Sequence, residues 1–157
     1  MNTTKLRFKT ASMRMILFSA GITLSAAACA PAPEIPEFMF DGLDYAFEGP
    51  DTLPAGPVLI GFENVGEVRH ELVLVRLTEG VTLDSLLVSV QNDPANYFQL
   101  VDALGGVLVA APGQNSWGKL YVELEQGKTY VLVCNFVDGE DQPQHHELGM
   151  FDSFVVI

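Results

Sequence analysis

The sequence TYVLVCNFVDGEDQPQHHELGMFDSFVVI, residues 129–157, contains two strand-like runs on either side of a polar segment. In its first part Tyr130, Leu132 and Cys134 alternate with residues on the opposite face, which is the pattern of a strand with one face toward a core. Its last seven residues, FDSFVVI, are rich in the aromatic and β-branched residues that favour strands. The segment between them is polar and turn-forming. Two strands joined by a polar loop are therefore predicted, with Cys134 pointing toward the core.

The rest of the chain has further strand-like runs between turns that contain Gly, Pro and Asn. The predicted strands are residues 38–47, 58–63, 70–77, 107–110, 116–124, 129–136 and 151–157. Residues 82–90 have the spacing of a short helix, and residues 93–102 are predicted to add another helical turn. The whole pattern predicts a Greek-key antiparallel β-sandwich of about seven to eight strands with a short helical excursion.

The N-terminal region has the features of an export signal. A basic segment precedes an apolar run at residues 15–28, which is too short to span a bilayer, and small residues precede Cys29. We therefore predict a lipoprotein-type signal peptide over residues 1–28, lipidation of Cys29, a Pro-rich tether over 29–37 and one domain over 38–157. An ordinary secreted protein or an uncleaved anchor is the alternative. The predicted location is the periplasmic or extracellular face of a bacterial membrane.

The net charge limits the partners that the surface can attract. The chain has 8 basic and 20 acidic residues, and its formal charge is −12. Four of the basic residues lie in the predicted signal, so the mature chain would carry about −16. Such a surface predicts no binding to nucleic acid or to anionic lipid, and contact with a membrane by the lipid anchor only. A monomer is expected.

Several metal-binding side chains lie close together near the C-terminus. One thiol, two adjacent imidazoles and a thioether belong to Cys134, His145, His146 and Met150. If Cys29 carries lipid, Cys134 has no partner for an internal disulfide, and it is expected to be buried, metal-bound or reactive. A thiolate, imidazoles and a weak thioether form the ligand set typical of copper in electron-transfer sites.

Other chemistries receive less support from the sequence. Zinc could use the same thiol and imidazoles, but their spacing is not that of structural zinc motifs. Asp138, Glu140 and Asp141 are too few and too closely spaced for an EF-hand calcium loop, and they are interpreted as a solvated loop tip. The chain has no G-x-S-x-G motif, no H-E-x-x-H motif and no phosphate loop, so an enzyme is not predicted.

Three segments together resemble the cupredoxins, the small blue copper proteins. The segments are NVGEVRH at residues 64–70, YVLVC at 130–134 and HHELGM at 145–150. The resemblance extends over residues 38–157, and it implies a cupredoxin-like fold with one mononuclear blue copper site. The ligands that it implies are His70, Cys134, His145 and Met150.

The resemblance also ranks the two adjacent histidines. Four residues separate His145 from Met150, which is the family's spacing, so His145 rather than His146 is the implied ligand. Asn64, Asn135 and His146 are the implied neighbours that would hold the ligands in place.

The implied function is electron transfer at the cell envelope, by one copper ion that cycles between Cu(I) and Cu(II), with a redox protein as partner. One alternative is a copper-free lipoprotein of the same fold that acts as a binding or interaction module. Another is a protein that captures or delivers copper, with a copper donor or acceptor as partner.

The copper hypothesis depends on one loop. Ten residues separate Cys134 from His145, where familiar blue copper proteins have only a few. The hypothesis therefore requires this insert to fold back on itself. The sulfur of Cys134 and the ring nitrogens of His70 and His145 should lie within about 4 Å of one another, because such ligands bind an ion at about 2.0–2.3 Å.

Overall fold

The structure is a computed structural model that describes residues 34–92 and 96–157. The predicted signal peptide, Cys29 and the first part of the predicted tether lie outside the described residues. Within the described ranges, no helix is long and apolar enough to cross a membrane.

Two five-stranded sheets form the domain. The strands are β1 Glu37–Leu43, β2 Ala46–Glu48, β3 Thr52–Leu53, β4 Gly56–Asn64, β5 His70–Leu77, β6 Val101–Ala110, β7 Gln114–Asn115, β8 Leu120–Leu124, β9 Thr129–Val133 and β10 Phe151–Val156. In the first sheet the order is β2-β1-β4, and both β7 and β8 pair with β4. In the second sheet the order is β3-β10-β9-β5-β6. The predicted β-sandwich is confirmed.

Both sheets are mixed rather than purely antiparallel. Most strand pairs are antiparallel, but β1 is parallel to β4 and β3 is parallel to β10. The prediction of one strand over residues 38–47 is wrong, because β1 and β2 form a hairpin with a turn at Asp44 and Tyr45. Tyr45 has a φ of 64°, in the left-handed region, and this conformation reverses the chain.

Aromatic and aliphatic side chains from both sheets fill the space between them. Along β4, Val58, Ile60 and Phe62 are fully buried, as their alternation predicted. Across the sandwich, the ring centroids of Phe40 and Phe154 lie 5.7 Å apart. The Cys134 side chain belongs to this same core cluster. The predicted inward direction of the thiol is therefore confirmed.

The helical excursion covers the outer face of the second sheet. Helix α1, Leu83–Asn92, is followed by the short helix α2, Tyr97–Leu100. Leu86 of α1 is fully buried against Val75 and Val133 of the sheet in a second apolar cluster. Strand β9 is therefore buried on both faces, and this explains its nearly continuous apolar sequence.

Three predicted strand boundaries are wrong. Strand β6 begins at Val101, where a helical turn was predicted, and runs through Gly105 and Gly106. The glycines lie within the strand and Gly105 permits a close approach, since a Cβ on Gly105 would lie 2.6 Å from Cδ2 of Leu74. The predicted strand 116–124 is reduced to β8, with β7 before it, and the predicted strand 129–136 ends at Val133.

We expect Leu86→Ala to lower the free energy of unfolding by about 2–5 kcal/mol, because it leaves a cavity between α1 and the second sheet. Val88→Ala is the matched control on the same helix, since Val88 is 60% exposed, and its effect should stay within about 0.5 kcal/mol. Urea unfolding of the two variants measures both values. If both variants lost the same small amount of unfolding free energy, the packing of α1 on the sheet would be contradicted.

Candidate metal centre

Separate elements bring four predicted ligands to one end of the sandwich. His70 is the first residue of β5, and Cys134 follows the last residue of β9. His145 begins a single 3₁₀ turn, His145–Leu148, and Met150 directly precedes β10. Because β9 lies between β5 and β10 in the second sheet, the ends of these strands are neighbours.

Three of the predicted ligands converge on one point. The Nδ1 atoms of His70 and His145 lie 3.1 Å apart. The Sγ atom of Cys134 lies 3.4 Å from Nδ1 of His145 and 4.0 Å from Nδ1 of His70. All three side chains are fully buried. The separation of about 4 Å or less that the copper hypothesis requires is therefore present.

The insert between Cys134 and His145 folds back through two backbone hydrogen bonds. The N–H of His145 donates to the carbonyl of Phe136 at 2.8 Å, and the N–H of His146 donates to the carbonyl of Cys134 at 2.9 Å. The two ends of the insert are thereby paired directly beyond β9. The remaining polar residues form the outer part of the loop, so its length does not separate the ligands.

The backbone of Met150 forms hydrogen bonds with two of the other predicted ligands. Its N–H donates to the carbonyl of His145 at 2.9 Å, and its carbonyl accepts from the N–H of Cys134 at 3.2 Å. The side chain is fully buried and belongs to the same core cluster as Cys134. The predicted ligand Met150 is therefore held beside Cys134 and His145 by backbone hydrogen bonds.

Two carboxylates hold the outer nitrogens of the histidine rings. Oδ1 of Asp44 lies 3.3 Å from Nε2 of His70, and Oδ1 of Asp138 lies 3.0 Å from Nε2 of His145. A proton on each Nε2 satisfies its carboxylate and leaves the Nδ1 lone pair directed toward Cys134. Metal-binding histidines commonly have this arrangement, in which an acceptor outside the site fixes the tautomer and the ring orientation.

Tyr45 extends this network. Its hydroxyl donates to Oδ2 of Asp138 at 2.5 Å, and its ring packs edge-on against the ring of His145 with centroids 5.1 Å apart. The hydrogen bond from Tyr45 is the main cause that lowers the pKa of the Asp138 carboxyl, and His145 adds to it. The backbone N–H of Glu67 is the main cause that lowers the pKa of Asp44. Both carboxylates are therefore held in the ionised form that the histidines require.

Burial controls the protonation of the inner groups. It raises the pKa of the Cys134 thiol, although hydrogen bonds from the backbone N–H groups of Glu71 and Phe136 oppose it. Burial also lowers the pKa of the His70 imidazole, against the effect of the hydrogen bond with Asp44. A neutral thiol and a neutral imidazole are thus favoured when no metal is bound, and a metal would have to displace the thiol proton.

Asn64, Asn135 and His146, which were predicted to hold the ligands in place, make different contacts. Asn64 is fully buried, and its side chain bonds the carbonyls of Val68 and Ala110 at 2.8 and 3.1 Å and the N–H of Gly66 at 3.0 Å. It therefore shapes the loop that leads to His70.

Asn135 bonds a side chain on a neighbouring strand. Its backbone N–H and its side-chain amide both donate to Oε1 of Glu71, each at 3.1 Å. The N–H of Glu71 lies 3.4 Å from the sulfur of Cys134, so this pairing supports a donor to the thiol. His146 is buried but lies outside the convergent group, which contains His145 instead.

Sequence reasoning missed Asp44 and Tyr45, and its interpretation of Asp138 was incomplete. Asp138 is exposed in the loop, as predicted, but the interpretation as a merely solvated tip is incomplete, because its carboxylate bridges Tyr45 and His145. No local pattern marks these residues, since Asp44 contacts a histidine 26 positions away and Tyr45 contacts Asp138, 93 positions away. The prediction of a single strand over residues 38–47 also concealed the turn in which Asp44 and Tyr45 lie.

We expect Asn64→Ala to lower the free energy of unfolding by about 2–4 kcal/mol, because it leaves buried carbonyl groups without donors. Asn92→Ala is the matched control, since Asn92 is an exposed helical residue, and its effect should stay within about 0.5 kcal/mol. Thermal and urea unfolding provide the measurement. If both variants were equally stable, Asn64 would not be what holds the loop before His70.

Comparison with known proteins identifies the fold. No family model and no curated protein sequence matches the chain. Among solved structures, auracyanin B is 21% identical, with 80% of this chain and 93% of that chain covered and a TM-score of 0.50. The reduced auracyanin of Roseiflexus castenholzii is 20% identical, with 80% and 98% covered and a TM-score of 0.50. Auracyanin A of Chloroflexus aurantiacus, described as a "blue" copper protein, is 21% identical, with 79% and 100% covered and a TM-score of 0.50. The cupredoxin-like fold that the sequence predicted is therefore confirmed, and the chain has the fold of the auracyanins.

Proposed function

We propose that this protein binds one copper ion and transfers electrons. The observation that carries the proposal is the convergence of Sγ of Cys134 with the Nδ1 atoms of His70 and His145, at separations of 3.1–4.0 Å, in a fully buried position. The structural neighbour auracyanin A is described as a blue copper protein, and this supports the proposal.

The residues present fit copper in both composition and spacing. A thiolate and two imidazoles, with a thioether nearby, match the preferences of copper among the transition metals. Three ligands at about 2.0–2.3 Å from a shared ion, in one plane with it, lie roughly 3.5–4 Å apart. The observed separations are close to this range, so His70, Cys134 and His145 would hold the ion with small adjustments. Met150 is the proposed weak fourth ligand.

The protein's contribution is to keep the ligands in place. Copper, when bound, supplies the change between Cu(I) and Cu(II) that carries one electron. His70 is fixed by β5 and Asp44, and His145 is fixed by the carbonyl of Phe136 and by Asp138. Ligands held in this way change position little when the charge of the ion changes, which is what rapid electron transfer requires.

Burial distinguishes electron transfer from the alternatives. The fully buried ligands give no substrate direct access, and this supports electron transfer rather than catalysis. The same burial favours a retained ion over one that is captured and delivered, because ligand exchange needs an accessible position. A module with a purely structural loop would not need two carboxylates aimed at the outer nitrogens of two converging histidines.

The proposed setting is the cell envelope. The predicted signal peptide over residues 1–28 and the predicted lipidation of Cys29 support export and anchoring by lipid. The partner would be another redox protein. The acidic surface, with 20 acidic residues in the chain, favours a partner with a basic docking face.

Titration of the purified chain with Cu(II) tests the copper site. We expect an intense visible absorption band from charge transfer between a thiolate and copper, saturating at one ion per chain. Cys134→Ser should abolish the band. Met150→Leu should shift the band or the reduction potential, whereas Met39→Leu, a control at a partly exposed position, should leave both unchanged. A chain that binds no copper, or a band that persists in Cys134→Ser, would refute the proposal.

The two adjacent histidines provide a second test. His145→Gln should lose the intense band, because it removes a nitrogen 3.4 Å from the sulfur. His146→Gln should retain an intense band, because the His146 ring lies outside the convergent group. Visible and electron paramagnetic resonance spectra of both variants give the comparison. The reverse result would show that His146 is the ligand.

A further inference from the structure

A second site lies on the other side of the loop that carries His145. It is a pocket of about 580 Å³ between α1 and the outer face of the second sheet. Its size falls in the range of small-molecule binding sites. Its walls are mainly Val73, Val75, Leu86, Val90, Val101 and Val133. The site is therefore suited to an apolar molecule.

Three polar side chains that line the pocket already have a partner in the protein or face solvent. Asp102 accepts a hydrogen bond from Nε of Arg76 at 2.5 Å, and the side chain of Asn135 donates to Glu71. Gln144 is exposed at the edge. These groups are either paired within the protein or open to solvent, so none of them leaves a buried polar atom in need of a ligand.

His146 differs from the other lining groups. Only 7% of its surface is exposed, and its Nδ1 has no hydrogen-bond partner among the described residues. Buried side-chain nitrogens are nearly always hydrogen-bonded, so an orphaned one at the wall of a pocket indicates a missing partner.

The chemistry of the missing partner follows from the wall. A neutral molecule is favoured, because the described residues that line the pocket include no lysine or arginine, the one carboxylate among them (Asp102) is already paired with Arg76, and the chain as a whole has a charge of −12, which repels anions. A hydroxyl group can donate to Nδ1 or accept from it, so it pairs with either tautomer of the ring. An apolar body fits the valine and leucine walls.

We propose that this pocket binds a neutral, mainly apolar molecule with one hydroxyl group, which forms a hydrogen bond with Nδ1 of His146. The site is separate from the proposed copper site and does not depend on it. The two are neighbours, since the N–H of His146 donates to the carbonyl of Cys134.

The test uses 2-naphthol and naphthalene, which differ by a single hydroxyl group, and the purified chain without added metal. Ligand-observed NMR titration measures both affinities. We expect 2-naphthol to bind about tenfold more tightly than naphthalene, which is the effect of one good hydrogen bond. In His146→Phe, which keeps a ring but removes the nitrogens, the affinity for 2-naphthol should fall to that for naphthalene.

Two further variants locate the binding. Val90→Trp fills the pocket and should abolish binding of both molecules, whereas Val155→Trp, at an exposed position on β10, should leave both affinities unchanged. Far-ultraviolet circular dichroism checks that each variant is folded. The proposal is overturned if neither molecule binds, if both bind equally to the original chain, or if Val90→Trp still binds. Self-association that Val90→Trp abolishes would show instead that a second copy of the chain covers this face.

Discussion

The pairing of the two ends of the polar insert is the constraint on which the candidate metal centre depends. Backbone hydrogen bonds from His145 to Phe136 and from His146 to Cys134 join the two ends of the insert just after the last residue of β9. They bring a nitrogen that is eleven positions along the chain to 3.4 Å from the sulfur of Cys134. Without them the insert would be an ordinary surface loop, and the two remaining side chains would not form a site.

Burial of this polar cluster is costly and needs compensation. Polar groups that lose water must form hydrogen bonds within the protein, or they destabilise the fold. Asp44 and Asp138 supply this for the outer nitrogens of the two histidines, while backbone N–H groups supply it for the thiol. The inner Nδ1 atoms are left facing one another and the sulfur. The two Nδ1 atoms satisfy each other poorly in this arrangement. A soft metal ion would replace their contact by binding to both nitrogens and to the sulfur.

The sequence predicted the parts of the fold that follow from local pattern. Alternation placed Val58, Ile60 and Phe62 in the core and pointed Cys134 inward, and both results hold in the structure. Local pattern could not reveal the turn at Tyr45, since it depends on one residue in a left-handed conformation. It also could not show that Gly105 lies inside a strand, because a glycine in a turn and one that admits a close neighbour look the same in sequence.

The candidate site likewise has some residues that the sequence could identify and others that it could not. His70, Cys134 and His145 could be selected because their side chains and order are distinctive, although the sequence could not say whether the insert closes. Asp44 and Asp138 could not be selected, because carboxylates are common in this acidic chain and only their contacts with the two histidines in the folded chain distinguish these two.

X-ray absorption spectroscopy of the copper-loaded chain would show whether Cys134 and the two histidines bind the ion together. We expect one short copper–sulfur distance of about 2.2–2.3 Å and two nitrogen ligands at about 2.0 Å, with the sulfur absent in Cys134→Ser. Copper bound only through nitrogen and oxygen would refute the proposed site, because it would show that the convergence of Cys134 with the two histidines does not create the binding site.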